Sequence, residues 1–395
     1  MLVKYGQGRS AGTIEVATFR SDGSYSDRRR PDAVYFSDPL ADAQRRDFTV
    51  NALFLDPVND PTWPGHVQLP GTPDISPAPL GGSVVDFVGG RADLSRQLLR
   101  AVGDPDQRLA EDHLRALRAA RLATKLDFRI DPATADAVRR HAAQLGGVSR
   151  ERIGDELRLM LGLPQRADAV ACLHDLHLDA AVLMETVHAG PPRPRASASV
   201  LAALPADASY PLSLAAWAID RGVVTPAGPL ATAAALHETL PDCWHGGPTR
   251  AVRDLCSRWR TALCLSNDER DALLNVLAWA GLVAARWDDL REAHRRRAAA
   301  SRWFAPSLVL VEAMSAAGLA DRTSLERIRT DADTLRRTGA GLAPDPLVSG
   351  DDLTAAGFVP GPGYRRLLEA LYDAQLESRI ESREQGLELA RSLGV

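Results

Sequence analysis

From about Asp104 to the C-terminus, apolar residues recur at helical spacing with few interruptions. The pattern predicts helices over Arg108–Leu126, Asp131–Leu145 and Arg150–Leu163, with helical periodicity continuing beyond them. The punctuation agrees. Asp131-Pro132 marks a helix start, because proline suits the first turn and an aspartate accepts from its free amides. Gly146-Gly147 closes that helix, and Ser149 with Glu151–Arg152 opens the next. Proline-rich joints break the pattern at 190–194 and 241–248, and Gly361-Pro362-Gly363 breaks it again.

The first hundred residues read differently. Thr13–Phe19 alternates β-branched and apolar residues, and Ala33–Phe36 and Val84–Val88 are further β-prone runs. Ser21–Tyr25 is a turn sequence, and the Pro/Gly-rich stretch 56–82 reads as a loop. The expected fold class is therefore α+β: a small strand-bearing head followed by an all-helical remainder. The 395 residues suffice for two to four domains.

No apolar run reaches the length of a membrane span, and the start has no signal-peptide core, so a cytoplasmic protein is expected. Cys172, Cys243, Cys256 and Cys264 form no C-x-x-C pair and read as buried thiols. The net charge is -4, yet only Lys4 and Lys125 among the 47 basic residues are lysine. Arginine's planar donor fork suits phosphates and base edges, but a GC-rich genome also favours it. Local clusters must decide.

Two clusters stand out. Arg45-Arg46-Asp47-Phe48-Thr49-Val50-Asn51-Ala52 sets paired arginines against an aspartate before an apolar run. Glu111-Asp112-His113-Leu114-Arg115-Ala116-Leu117-Arg118-Ala119-Ala120-Arg121 carries arginines every third residue. On one continuous helix, Asp112, Arg115 and Arg118 would share a face. A carboxylate acceptor beside guanidinium donors can pair with a base edge and with phosphates. Taken singly, each cluster also fits an ordinary salt-bridged surface.

Together the two segments, about sixty residues apart, resemble the class II tRNA nucleotidyltransferase and poly(A) polymerase family, which includes the CCA-adding enzymes. Ile14–Arg20, the basic run Ser24–Pro31, Asp86–Leu94, Val148–Ile153 and the tail from Ser349 to Gly363 are similar as well. The likeness is dense over 1–165 and 345–390. It implies an incomplete nucleotidyltransferase (polymerase-beta-like) head over 1–103 and a base-recognising helical neck over 104–165. A helical body over 166–340 and an RNA-binding helical tail over 341–395 would follow.

The resemblance further implies template-independent addition of C and A from CTP and ATP to tRNA 3′ ends. Poly(A) tailing, and a nucleotide- or RNA-binding remnant without catalysis, are the alternatives. Arg46 would contact the nucleotide, while Asp112 and Arg115 would read its base. Arg118 and Arg121 would support base or triphosphate, and Asp47 and Asn51 would brace the loop or ribose side. Arg45 would be structural. An RNA 3′-hydroxyl would attack the α-phosphate, with carboxylate-bound Mg²⁺ neutralising charge and Glu15 near the metals.

One departure matters. The family's G-G-x-V-R-D and D-x-D segments, which hold triphosphate and metal, would lie before Met1. The expectation is a start codon placed about sixty residues late, judged by the usual size of a complete domain. Asp104-Pro105-Asp106 has the D-x-D spacing but reads as a helix cap, and Asp331-Ala332-Asp333 lies inside a predicted helix. His174-Asp175 lacks the companions of a metal phosphohydrolase set. The tryptophans at 217, 244, 259, 279, 287 and 303 read as packing anchors. Arg291 and Arg295–Arg297 offer either a face for RNA phosphates or a solvated helix face.

Overall fold

The computed structural model describes residues 2–5, 12–15, 17–22, 34–57, 71, 74–77, 81–185, 199–222, 250–361 and 363–393. The chain divides into two compact units, Met1–Gly190 and Pro191–Val395.

The first unit begins with short antiparallel pairs. Strand β1 (Leu2–Tyr5) pairs with β2 (Gly12–Glu15), and β3 (Arg20–Asp22) pairs with β4 (Val34–Phe36). Helix α1 (Pro39–Gln44) starts where the Asp38 carboxylate accepts from the Ala41 amide, with Pro39 in the first turn. A three-stranded antiparallel sheet follows, in the order β5 (Leu53–Asp56), β7 (Ser83–Asp86), β6 (Asp74–Pro77). The expected strand over 13–19 is thus shorter and earlier, and β3 takes up Ser21 and Asp22 of the expected turn. Strand β6 sits inside the stretch read as loop, because β7 offers it a partner edge that no local sequence signal reveals.

Asp86 ends β7 by accepting from the amides of Val88, Gly89, Gly90 and Arg91, which opens helix α2 (Gly90–Ser95). A β-carbon on Gly90 would lie 2.2 Å from the Thr49 carbonyl oxygen, so only glycine permits that approach.

The segment from Gln97 to Val102 then acts as a seam. Strand β8 (Leu98–Leu99) pairs in parallel with β9 (Arg129–Ile130). On the same segment, Thr49 donates to the Arg100 carbonyl at 2.9 Å and Val102 donates to the Asp47 carbonyl at 3.2 Å. Backbone thus ties the Arg45–Asn51 segment to the helices that follow.

Those helices are α3 (Pro105–Glu111), α4 (Arg115–Leu126), α5 (Pro132–His141), α6 (Arg150–Leu161), α7 (Arg166–Asp175) and α8 (Asp179–Leu183). Asp131 caps α5 through the Thr134 amide, as its Asp-Pro start predicts. Helix α5 gives way at His141 to a 3-10 turn that runs to Gly147. Ser149 precedes α6 without a side-chain capping bond. Helix α4 buries Ala116, Ala119, Ala120 and Ala123, small residues that let α6 and α7 pack closely.

One expectation fails here, and it concerns the site. The predicted helix over Arg108–Leu126 is two helices. Asp112 follows α3 with extended backbone, φ −151° and ψ 105°, and α4 starts afresh at Arg115. Apolar periodicity runs through the break because Leu109, Leu114 and Leu117 are all buried. Asp112, Arg115 and Arg118 therefore do not share one helix face.

The second unit is helical in its described residues: α9 (Val200–Ala203), α10 (Tyr210–Asp220), α11 (Arg250–Leu263), α12 (Asn267–Arg286), α13 (Glu292–Ala300), α14 (Phe304–Ala316) and α15 (Arg322–Arg337). Helices α16 (Gly350–Ala355), α17 (Tyr364–Leu376) and α18 (Arg383–Ser392) complete it around their own core of Val348, Leu353, Leu367, Leu371 and Ala390. Trp217 and Trp259 are buried with ring centroids 5.6 Å apart, and Trp287 is buried against Phe304, so these three are packing anchors. Trp244 and the proline-rich joints at 190–194 and 241–248 lie outside the described residues. No described helix is long and apolar enough to cross a membrane.

Candidate nucleotide-recognition site

The site grows from a buried carboxylate that the sequence reading overlooked. Asp42, on the last turn of α1, is 2% exposed. It accepts from Arg45 at 2.6 Å and from Arg46 at 2.9 Å. Burial pushes its pKa up, but the two guanidiniums outweigh that and hold it below the ordinary value. Arg45 also donates to the Arg20 carbonyl at 3.0 Å, which gives it the structural part expected of it. Arg46 stays 39% exposed, donates to the Asn51 carbonyl and lies 5.5 Å from the centre of the Phe54 ring. Its guanidinium is oriented without being enclosed.

Asp47 is the junction. One oxygen accepts from the Phe48 amide and the Asn51 side-chain amide; the other accepts from Arg118 at 2.7 and 2.6 Å. Asp47, Asn51 and Arg118 thus form one hydrogen-bonded unit. Burial works against the charge on Arg118, but Asp47 above all, with Glu156 and Asp112, raises its pKa. Arg118 still leaves 37% of its side chain exposed.

Asp112 and Arg115 sit just beyond. Asp112 accepts from the Leu114 amide at 3.0 Å and from Arg152 of α6 at 2.6 Å. Nη1 of Arg115 donates to the Glu111 carboxylate and, at 2.7 Å, to the Arg108 carbonyl. Arg121 turns away toward Glu156, at 2.6 Å, so α4's three arginines part to three different acids. The break at 112–114 produces this fan: on a continuous helix Asp112 would lie beneath Arg115 and neutralise it.

The sequence reading missed Asp42, Glu111, Arg152 and Glu156 as members of the site. Asp42 precedes Arg45 and Arg46 by three and four residues, a spacing that signals ion pairing on a helix. Arg152 and Glu156 stand one turn apart on α6, but their partners lie 40 and 35 residues upstream.

Glu15 lies on β2 opposite Leu2, and its side chain is outside the described residues. Among the described residues no group of three or more His, Cys, Asp or Glu is placed to hold a metal ion. Asp42 and Asp47 are committed to arginine and amide donors, and Asp112 is paired with Arg152, a set that does not fit Mg²⁺. Of the D-x-D spacings, Asp104 caps α3 through the Gln107 amide, while Asp106 binds Arg140 and His141 instead of capping. Asp331 is inside α15 and accepts from Trp287 and Arg295.

Residues 2–100 match the family described as Poly A polymerase head domain. Residues 127–188 match the one described as Probable RNA and SrmB-binding site of polymerase A. The chain is 41% identical over 164 residues to a CCA-adding enzyme of Limosilactobacillus fermentum, and 35% identical over 167 residues to that of Geobacillus stearothermophilus. These stretches cover 41% and 42% of this chain but only 34% and 36% of the relatives' lengths. Among solved structures, the CCA-adding enzyme of Bacillus stearothermophilus in complex with CTP superposes with a TM-score of 0.65 at 22% identity, over 99% of this chain and 82% of that one. The Thermotoga maritima CCA-adding enzyme complexed with tRNA gives 0.50 at 16% identity, over 90% and 74%. The fold is therefore that of these enzymes, and the expected α+β class holds.

Proposed function

We propose that this chain, whose residues 2–100 and 127–188 match the poly A polymerase head and RNA-binding models and which is similar to CCA-adding enzymes, selects C and A for addition to tRNA 3′ ends. The observation that carries the reading is the pairing pattern around Asp112 and Arg115. Asp112 is held by Arg152 with acceptor capacity remaining on its carboxylate. The described residues give Nε and Nη2 of Arg115 no hydrogen-bond partner. An acceptor and a donor edge thus remain three residues apart in the chain, on side chains that do not pair with each other. Cytosine and adenine each present an exocyclic amino donor beside a ring-nitrogen acceptor, which matches that order. Uracil and guanine present a carbonyl oxygen where the amino group should be, and it would face the carboxylate.

Arg46 and Arg118, both more than a third exposed, supply positive charge for the phosphates, while Arg121 is held by Glu156 and supports the neck. In this reading 104–165 is the base-recognition region and 341–395 the RNA-binding tail. CTP, ATP and tRNA are the partners, Mg²⁺ the divalent cation of the reaction, and the cytoplasm its compartment. The described residues contribute selection and charge, and no chemical step is assigned to them through the metal. The test incubates the full chain with tRNA lacking its terminal CCA, Mg²⁺ and labelled CTP or ATP, and measures nucleotide retention in parallel. Incorporation with CTP and ATP retained over UTP and GTP is expected. Retention without incorporation points to a binding remnant, and indifference to the base sinks the reading.

A further inference from the structure

A carboxylate and a guanidinium set side by side to read a base face an intrinsic hazard, which is that they pair with each other. Asp112 and Arg115 are three residues apart, and the Arg115 amide already donates to the Asp112 carbonyl at 3.0 Å. Their side chains do not pair. Asp112 goes to Arg152 on α6, and Arg115 goes to Glu111, the last residue of α3. Glu111 is itself steadied from the other side: its Oε2 also accepts from Arg108 at 2.9 Å. Arg108 in turn donates to the Gln44 carbonyl at 2.7 Å and to the Val102 carbonyl at 3.2 Å. Glu111 is thus anchored, through one guanidinium, to the C-terminal end of α1, beside Arg45 and Arg46.

We propose that Glu111 is a positioning residue for base selection: by holding Nη1 of Arg115 it keeps that guanidinium off Asp112, so acceptor and donor remain separate and unneutralised. The inference rests on the base-reading assignment of Asp112 and Arg115 made above. Glu111 need not touch the nucleotide. A Glu111→Gln side chain of the same shape offers an uncharged acceptor to two cations, too weak to hold Arg115 against a neighbouring carboxylate. Arg115 would then swing onto Asp112, covering the acceptor that rejects a uracil carbonyl and removing the donor edge that receives cytosine.

The test measures binding of CTP and of UTP to the full chain and to Glu111→Gln and Glu111→Asp, with thermal midpoints as the check on folding. The unsubstituted chain should prefer CTP. In Glu111→Gln that preference should fall roughly tenfold, through weaker CTP binding with UTP binding held or improved. Glu111→Asp, which keeps the charge, should restore most of the preference. An unchanged preference in Glu111→Gln overturns the proposal, as does an equal loss of affinity for both nucleotides, the mark of a general structural role. Failure of the unsubstituted chain to discriminate overturns the base-reading assignment and this proposal with it. That failure is distinguishable, because it appears before any substitution is made.

Discussion

Two arginine clusters in this chain look alike in sequence and do opposite things. In the first unit, Arg45, Arg46, Arg115 and Arg118 each meet an acid from one side, and Arg46 and Arg118 remain more than a third exposed. In the second unit, each arginine of the run Arg295–Arg297 on α13 is tied to acceptors on other turns or helices, and the middle one is buried. Arg296 is 2% exposed and donates to Glu292 and to the carbonyls of Leu335, Thr338 and Gly341, so it closes the C-terminal end of α15. Arg295 pairs with Asp331, and Arg297 pairs with Asp373 while stacking on Tyr372. Neither reading of that run, a phosphate-tracking face or a solvated face, fits the buried Arg296, while Arg295 and Arg297 keep 29% and 25% of their side chains exposed beside their acids. The number of arginines says little; how many acceptors the fold brings to each one decides whether it is a bolt or a receptor.

The contrast can be broken or sharpened by substitution. The largest effect is expected for Arg296→Met, which strands three carbonyls and the Glu292 carboxylate: the second unit should lose about 3 kcal/mol, read as a lower urea midpoint by circular dichroism. CTP binding by the first unit should survive it. Asp47→Asn should cost about 2 kcal/mol, because it leaves Arg118 without its counter-charge, and hydrogen exchange across 47–52 should quicken. If it changes neither exchange nor CTP binding, Asp47 is not the junction described.

Acid should bear on the first unit next. Asp42 and Asp86 have folded pKa values below the ordinary one, so their stabilisation is complete above the ordinary carboxylate range and is lost as pH falls through the lowered values. The first unit should therefore weaken at the acid end of that range, and Asp42→Asn should flatten its pH dependence there, measured as the thermal midpoint against pH. The smallest effect belongs to Arg291→Ala. Its side chain is 58% exposed and meets Asp373 and Glu377 at 3.3 and 3.7 Å, so the loss should stay below about 0.5 kcal/mol by urea titration.

How far the sequence carried depends on distance along the chain. The capping of α5 by Asp131 was legible, since an Asp-Pro pair acts on its own neighbours. The motif pattern also marks Arg46, Asp47, Asn51 and Arg118, and the fold joins Asp47 to Arg118 although 71 residues separate them. The break at Asp112 was hidden, because burial of Leu109, Leu114 and Leu117 keeps helical periodicity intact while the backbone departs from it. Arg152 and Glu156 were hidden for another reason: an arginine and a glutamate one turn apart look like an ordinary surface pair until α4 is packed beside them.

The placement of the indoles has a practical side. Trp63 is alone in the first unit, whereas the other six tryptophans fall between 217 and 303. Trp217 and Trp259 are fully enclosed and Trp287 nearly so. Intrinsic fluorescence of the whole chain is then mostly the voice of the second unit, and its red shift on unfolding dates the loss of that core. A nucleotide that quenched this emission would be acting on residues far along the chain from Asp112 and Arg115. A nucleotide that bound without disturbing it would place its whole effect in the first unit. The chain thus carries a built-in optical label for one of its halves.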